Sequence, residues 1–267
     1  MLRALAFLFL TAPAALCQTF LAYQGTGSGC IFLGHYEQGR FVDTTKTQGA
    51  LDPYTDAARA RIPEFTAGRE YPAITAHGDT VHILVTDVSP KQDRPTYRFQ
   101  ARANEPVLIA TAPLRLEIVR TTPVALSRIA QDQILTRAEQ LWNRAVSERV
   151  ADEKPLRYSL GKPQVASVHD GSGMLAIYYS LHIEPIHDAR GSMFFLYSEK
   201  QHQIVRAEFG HPGWALQSSA RTIRPEFYFR LKGRPDIHFL AEYSGGWEDP
   251  GYAIINLRTG KTELYCY

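Results

Sequence analysis

The chain has 267 residues, of which 45% are hydrophobic and 21% are charged, and its formal net charge is +2. This composition excludes a disordered chain, because it can bury a sizeable core. Basic and acidic residues are spread along the whole chain, which argues against a nucleic-acid surface, since such a surface needs clustered Lys and Arg.

Residues 1–17 have the features of an export signal peptide. Arg3 provides a positive start, and residues 4–16 form an apolar core that is too short to span a bilayer comfortably. Ala15 and Cys17 are small residues at the two positions that a signal peptidase reads, so cleavage is expected before Gln18. The alternative is a lipoprotein anchored at Cys17. We therefore expect a secreted or periplasmic protein whose mature chain has no transmembrane segment.

Two cysteines remain after cleavage, Cys30 and Cys266, near the two ends of the mature chain. An exported protein folds in an oxidising compartment, where two thiols usually pair. The sequence therefore predicts one disulfide between them. Two free thiols are the alternative, because two cysteines alone cannot form a structural zinc site.

Residues 18–122 are predicted to form N-terminal strands and a loop region. A hairpin is expected at Cys30–Tyr36, returning over residues 40–43, and residues 44–76 are interrupted by three prolines and are expected to be a surface loop. Alternation predicts a strand at residues 80–87 that pairs with residues 96–102. A second strand pair is expected over residues 106–111 and 114–120.

Residues 123–150 carry the pattern of a long amphipathic helix. Apolar residues recur at three- and four-residue steps from Leu126 to Val146, including Ile129, Ile134 and Leu141. Thr122-Pro123 is a plausible start, and Ser127 is a later alternative. The polar face mixes both charge signs, so we expect this helix to pack on a sheet as scaffold, not to bind a membrane.

Residues 155–267 are predicted to be a meander of short strands joined by tight turns. Together these segments predict a mainly β (α+β) fold, with antiparallel meander sheets and one central amphipathic helix, in a single domain over residues 18–267. The alternative is a small β-propeller-like fold with an inserted helix. That alternative rests on a faint repeat, because residues 175–196 resemble residues 239–256.

Two groups of residues are candidates for binding. The loop from Tyr243 to Tyr252 combines aromatic rings with carboxylates, which suits a sugar or a cationic ligand. Around Pro185, two imidazoles and two carboxylates could hold a divalent ion, although their spacing matches no known metal motif. The loop candidates are Tyr243, Trp247, Glu248, Asp249 and Tyr252, and the metal candidates are His182, Glu184, His187 and Asp188.

The chain shows no recognisable catalytic motif. It contains no G-x-S-x-G elbow, and Gly25 to Gly29 fit no phosphate-binding pattern. We therefore expect a non-enzymatic exported module that binds a glycan, a peptide or an envelope protein, without a cofactor. The alternative is an extracellular or periplasmic hydrolase that uses dispersed carboxylate and histidine residues. A basic patch formed by Arg221, Arg224, Arg230 and Arg234 is a further possibility.

Overall fold

The described part of the chain contains eighteen strands and one α-helix in a computed structural model. All strand pairings in it are antiparallel, which confirms the mainly β prediction with one helix. The pairings form three sheets, named A, B and C below. The structure describes residues 19–24, 29–37, 40–42, 68–75, 77–90, 97–101, 107–110, 116–147, 156–168, 170–184, 190–210, 222–244 and 251–266.

Sheet A contains the first seven strands, in the order β1-β7-β4-β5-β6-β2-β3, and β1 also pairs with β2. The predicted hairpin at its start and the pairing of residues 80–87 with the strand after them are confirmed. The strands are β1 (Thr19–Gln24), β2 (Gly29–Glu37), β3 (Arg40–Val42), β4 (Glu70–Thr75), β5 (Thr80–Pro90), β6 (Tyr97–Ala101) and β7 (Val107–Ala110).

Two predictions for this region are wrong. Strand β4 lies inside the segment that was expected to be a loop, and it includes Pro72. This is tolerated because β4 pairs with β7 only from Ala73 onward, so Pro72 has a neighbour on one side only. The strand pair over residues 106–120 does not form either. Strand β7 joins sheet A, whereas residues 116–118 join another sheet.

The chain leaves sheet A through two short strands and then enters the helix. Strands β8 (Leu116–Ile118) and β9 (Thr121–Pro123) are followed by α1 (Arg128–Ser147). The helix starts at the later of the two predicted positions, because Ser127 caps it. The Ser127 Oγ accepts a hydrogen bond from the Ala130 amide at 3.2 Å. The predicted first-turn residue Pro123 instead closes β9.

The predicted apolar stripe of α1 is buried, with one exception. Ala130, Ile134 and Ala138 are fully buried, and Trp142 is nearly so, which matches steps of four residues along one face. Ile129, which the periodicity placed in the stripe, is 56% exposed. Ile129 lies in the first turn of the helix. In this turn Ala130 faces sheet C, and Ile129 faces away from it.

Sheet C lies under the helix and has the order β14-β13-β12-β11-β9, with β10 also paired to β12. Strands β10 and β11 do not pair with each other but share one edge of β12, end to end. Gly161 between them donates its amide to the Ser180 carbonyl at 2.9 Å, and a Cβ there would collide with the Ser180 side chain. The strands are β10 (Arg157–Leu160), β11 (Gln164–Val168), β12 (Met174–Glu184), β13 (Arg190–Ser198) and β14 (Gln203–Gly210).

The predicted C-terminal meander over residues 155–267 is divided between two sheets: its first part lies in sheet C, and its second part forms sheet B, which β8 extends at one edge. The order of sheet B is β18-β17-β16-β15-β8, so consecutive strands are neighbours as tight turns require. A bulge interrupts β15 between Pro225 and Phe227. The strands are β15 (Thr222–Leu231), β16 (Ile237–Ser244), β17 (Gly251–Asn256) and β18 (Thr262–Cys266).

The helix and the three sheets pack in the order α1, C, B, A. Strand β13 is buried on both faces from Gly191 to Ser198, because α1 covers one face of sheet C and sheet B covers the other. The two halves of the faint sequence repeat, β12–β13 and β16–β17, are the central strands of these two facing sheets. A propeller is not needed to explain the repeat. No helix in the described part is long and apolar enough to cross a bilayer.

Candidate functional site

The base of the predicted aromatic loop is described, but its tip is not. Tyr243 lies in β16 and its backbone pairs with Gly251 of β17. Tyr252 follows in β17, is only 8% exposed, and belongs to the cluster between sheets A and B. Trp247, Glu248 and Asp249 lie outside the described residues, so the ligand-binding role of this loop stays a prediction.

The structure describes two of the four residues that were predicted to bind a metal ion. His182 and Glu184 lie on β12 with both side chains largely exposed, and His182 Nε2 is 3.8 Å from Glu184 Oε1. The strand register places Arg157 opposite Glu184, which is an unfavourable neighbour for a cation. The described residues contain no group of three His, Cys, Asp or Glu side chains that could hold a metal ion. The remaining two candidates, His187 and Asp188, lie outside the described residues.

The two predicted disulfide residues lie on neighbouring strands of different sheets. Cys30 is in β2 of sheet A, where its backbone pairs with Phe99, and Cys266 ends β18 of sheet B. Strand β18 lies against β2 and β3. The positions of the two sulfur atoms lie outside what the structure describes, so the disulfide stays a prediction.

A cleft of about 670 Å³ opens between sheets C and B. Tyr178 on β12 and Arg224, Pro225 and Tyr228 on β15 contribute to its walls, together with Lys162 between β10 and β11. Most of its remaining lining is apolar or small, which is typical of ligand sites that carry few polar groups. The remaining lining residues are Thr121, Pro123, Val124, Ala125, Pro163, Gln164, Val165, Ala166 and Ala176.

The cleft exists because the chain bridges the two sheets at one end only. Strand β8 pairs with the second half of β15, over Phe229–Leu231, and β9 pairs with the end of β11, over Ala166–Val168. Val119 extends the first pairing by donating its amide to the Tyr228 carbonyl at 2.8 Å. Beyond this bridge, the first half of β15 and the start of β11 face each other across open space.

Arg224 is held in the cleft wall by two carboxylates. Its Nε donates to Glu226 Oε1 at 2.7 Å, and its Nη2 lies 2.6 Å from Glu242 Oε2. The carboxylate side chains are 16% and 23% exposed, whereas that of Arg224 is 57% exposed. The two carboxylates therefore hold the guanidinium in place, and part of the Arg224 side chain remains exposed to solvent.

Two neutral phenols complete the polar part of the cleft. Burial raises the pKa of Tyr178, and this effect outweighs the opposite effect of the Arg224 guanidinium. Burial also raises the pKa of Tyr228, whose ring lies 5.8 Å from that of Phe239. Both phenols are therefore uncharged at neutral pH, and both side chains contribute to the cleft lining.

The cleft is adjacent to the predicted aromatic loop in the strand register of sheet B. Arg224 lies opposite Glu242, and Glu242 lies opposite Tyr252 on the next strand. Tyr243 is next to Glu242 in sequence. Tyr243 and Tyr252, the described ends of the predicted site, are therefore neighbours of Glu242 in the backbone register of sheet B.

A second polar centre lies between sheets B and A. His238 is 5% exposed, and its Nε2 is 3.0 Å from Glu263 Oε2. Its ring stacks on Phe229 at 5.8 Å and meets Phe41 edge-on at 5.2 Å. Its Nδ1 has no hydrogen-bond partner among the described residues. Burial lowers the pKa of His238 and outweighs the opposite effect of Glu263.

Sequence reasoning placed Arg224 in a basic patch, which the structure does not support. Arg224 contacts two carboxylates, and Arg230 Nε donates to Glu117 at 2.6 Å. Arg234 is exposed, and Arg221 lies outside the described residues. The Arg-x-Glu spacing of residues 224 and 226 was a usable signal. The contribution of Tyr178 and Lys162 had no local signal, because both come from another sheet.

Comparison with known proteins returned no match for this chain among protein-family models, curated proteins or solved structures.

Proposed function

We propose that this protein is a non-enzymatic, exported binding protein whose ligand occupies the cleft between sheets C and B. The observation that carries the proposal is the cleft itself. Its volume of about 670 Å³ lies within the range of small-molecule sites. Its lining combines apolar walls with a few fixed polar groups, the combination that gives such sites both affinity and orientation.

The cleft is a better candidate than a second depression on the described surface. That depression lies between α1 and the turn after β13, has a volume of about 450 Å³ and is lined mainly by polar helix residues and by His202 and Gln203. It is smaller than the cleft and more open to solvent, so it would cover less of a ligand's surface.

The test is a ligand screen combined with a variant that fills the cleft. Ligand-observed NMR would be run with neutral oligosaccharides, acidic oligosaccharides, short peptides and a fragment set. Ala125→Trp places a large side chain at an exposed residue of the cleft lining, and Asn143→Trp is the matched control on the exposed face of α1. We expect binding that Ala125→Trp abolishes and Asn143→Trp retains. Binding that survives both variants, or no binding from any class, would refute the proposal.

A hydrolase is the second candidate, and the pair His238–Glu263 is the observation that favours it. A histidine oriented by a carboxylate is the base half of a catalytic triad. Its burial is the argument against it, because a substrate must reach His238 past Phe41 and Phe229. Turnover of an ester, phosphate or glycoside panel that is lost in His238→Gln but retained in His202→Gln would favour the hydrolase.

Export is part of the proposal and has its own test. Residues 1–17 support it through their positive start and apolar core. Expression of the full chain in a bacterial host followed by intact-mass analysis should give a mature protein that starts at Gln18. A lipid-modified Cys17 would support the lipoprotein alternative, and an uncleaved chain would contradict both.

A further inference from the structure

We propose that the ligand of the cleft is a neutral saccharide, an inference that rests on the proposed function and assigns its ligand class. Three features of the cleft carry it. These are the charge balance around Arg224, the fixed donors that Arg224 presents, and the two phenol rings on opposing walls.

The charge balance disfavours ions. Arg224 contributes one positive charge, and Glu226 and Glu242 contribute two negative charges within hydrogen-bonding distance of it. Lys162 on the wall formed by sheet C brings the formal total to zero. An anion that approaches Arg224 also approaches two carboxylates, and a cation meets Arg224 and Lys162. The formal charges of these four side chains therefore cancel, so their net charge favours neither an anion nor a cation.

Arg224 is nevertheless a strong hydrogen-bond donor. A guanidinium has five N–H groups, of which the hydrogen bond to Glu226 uses one, and the Glu242 carboxylate lies 2.6 Å from Nη2. The Arg224 side chain is 57% exposed and lines the cleft, so its remaining N–H groups can meet a ligand. Because the two carboxylates already fix the planar group, binding costs little side-chain entropy. Such donors suit the hydroxyl and ring oxygens of a sugar.

The aromatic rings supply the apolar contact. Tyr178 belongs to sheet C and Tyr228 to sheet B, so the two phenols lie on different walls. Their aromatic surface can pack on the apolar C–H surface of a sugar. The sequence of β15 disfavours an extended peptide as the alternative, because Pro225 has no backbone N–H with which to pair an added strand.

The experiment compares ligand classes by isothermal titration at two salt concentrations. The probes are maltotetraose, cellotetraose and N,N′,N″,N‴-tetraacetylchitotetraose as neutral sugars, tetragalacturonate as an acidic sugar, and a lysine-containing and a glutamate-containing tetrapeptide. We expect at least one neutral sugar to bind, with a dissociation constant that changes by less than about twofold between about 50 and about 500 mM NaCl.

Two variants at one position test the role of the aromatic ring. Tyr178→Ala is expected to weaken sugar binding by about tenfold, whereas Tyr178→Phe, which keeps the ring, should weaken it by less than about threefold. Circular dichroism and thermal melting verify that each variant is folded. A variant that does not fold is replaced by Arg224→Leu, whose loss of donors is expected to have the same effect on sugar binding.

The outcomes separate this inference from the proposed function. If acidic sugars, peptides or apolar fragments bind in the cleft and no neutral sugar does, the ligand class is wrong and the binding function stands. If a neutral sugar binds but is unaffected by Tyr178→Ala and Ala125→Trp, it binds elsewhere and both are wrong. Binding that weakens steeply with salt would also overturn the neutral-ligand assignment.

Discussion

The interface between sheets B and A differs in chemistry from the two interfaces of sheet C. Sheet C packs on α1 and on sheet B through apolar and aromatic side chains such as Ile134, Phe194 and Phe239. The interface between B and A has a similar apolar cluster, but it also encloses His238 and its partner Glu263. The interface between sheets C and B also contains hydrogen bonds from Arg206 to the Gly260 carbonyl at 2.7 Å and to the Thr262 Oγ1 at 2.9 Å. The interface between sheets B and A depends in addition on the protonation of His238.

The largest effect is expected from the disulfide, which would link sheets A and B. Cys30 lies in β2 and Cys266 in β18, and these strands lie against each other. Cys30→Ser should lower the free energy of unfolding by up to about 5 kcal/mol, because the bridge closes a very long loop. Mass spectrometry after alkylation, with and without reductant, measures the bridge directly. Two alkylated thiols without reductant in folded protein would contradict it.

Truncation at the centre of the B–C interface is expected to have the next largest effect. Phe239 is fully buried and its ring lies 5.6 Å from that of Phe194. Phe239→Ala should cost about 3–5 kcal/mol, because it leaves a cavity between two packed sheets. Urea denaturation measures this cost, and Leu84→Ala, at a residue that is 40% exposed, is the control. Equal costs would show that the two sheets do not share a packed core.

The helix offers a matched pair of isoleucines. Ile134 is fully buried against sheet C, whereas Ile129 is 56% exposed one turn earlier. Ile134→Ala should cost about 2–5 kcal/mol, and Ile129→Ala should change stability by no more than about 0.5 kcal/mol. Thermal or urea unfolding gives both values. If Ile134→Ala costs almost nothing, α1 is not part of the scaffold and binds a partner instead.

The pH dependence of stability tests the polar interface. Burial lowers the pKa of His238, so the folded state favours its neutral form, despite Glu263 and the nearby Asp236. The resulting contribution to stability is complete above the pKa of an unfolded histidine, about 6.5, and is lost as the pH falls below it.

Melting temperatures between about pH 8 and about pH 5 should show this loss. His238→Gln should flatten the profile in that window, and His202→Gln, at an exposed turn, should leave the slope unchanged. If the melting temperature changes with pH equally in the wild type and in His238→Gln, His238 is not the cause of the lower stability at acidic pH.

The smallest effect is expected from removing a buried hydroxyl, that of Tyr197, at the interface between α1 and sheet C. Tyr197 is fully buried under α1, and its hydroxyl has no hydrogen-bond partner in the described part of the chain. Tyr197→Phe should therefore stabilise the protein by about 1 kcal/mol, because a buried unpaired polar group is removed. Destabilisation in a urea titration would show that the hydroxyl has a partner.

Much of the fold could be predicted because its signals are local. Residue periodicity predicted α1 and most of the strands, and short turns predicted the meander of sheet B. The sequence also contained both candidate helix starts, and Ser127 is the one that caps α1. These features depend on neighbours within a few residues, so one stretch of sequence is enough to predict them.

The pairing of distant strands was decided only by the tertiary structure. Strand β8 joins β15 more than a hundred residues later, and β10 and β11 share one edge of β12, because these arrangements complete sheets whose apolar faces must be covered. The same pairings create the cleft. Tyr178 and Arg224 carry no local signal that they meet, since their proximity follows from how two sheets pack. The sequence by itself determined the β-rich character of the chain, because strand periodicity is local, and the packing of sheet C on sheet B decided where the cleft lies.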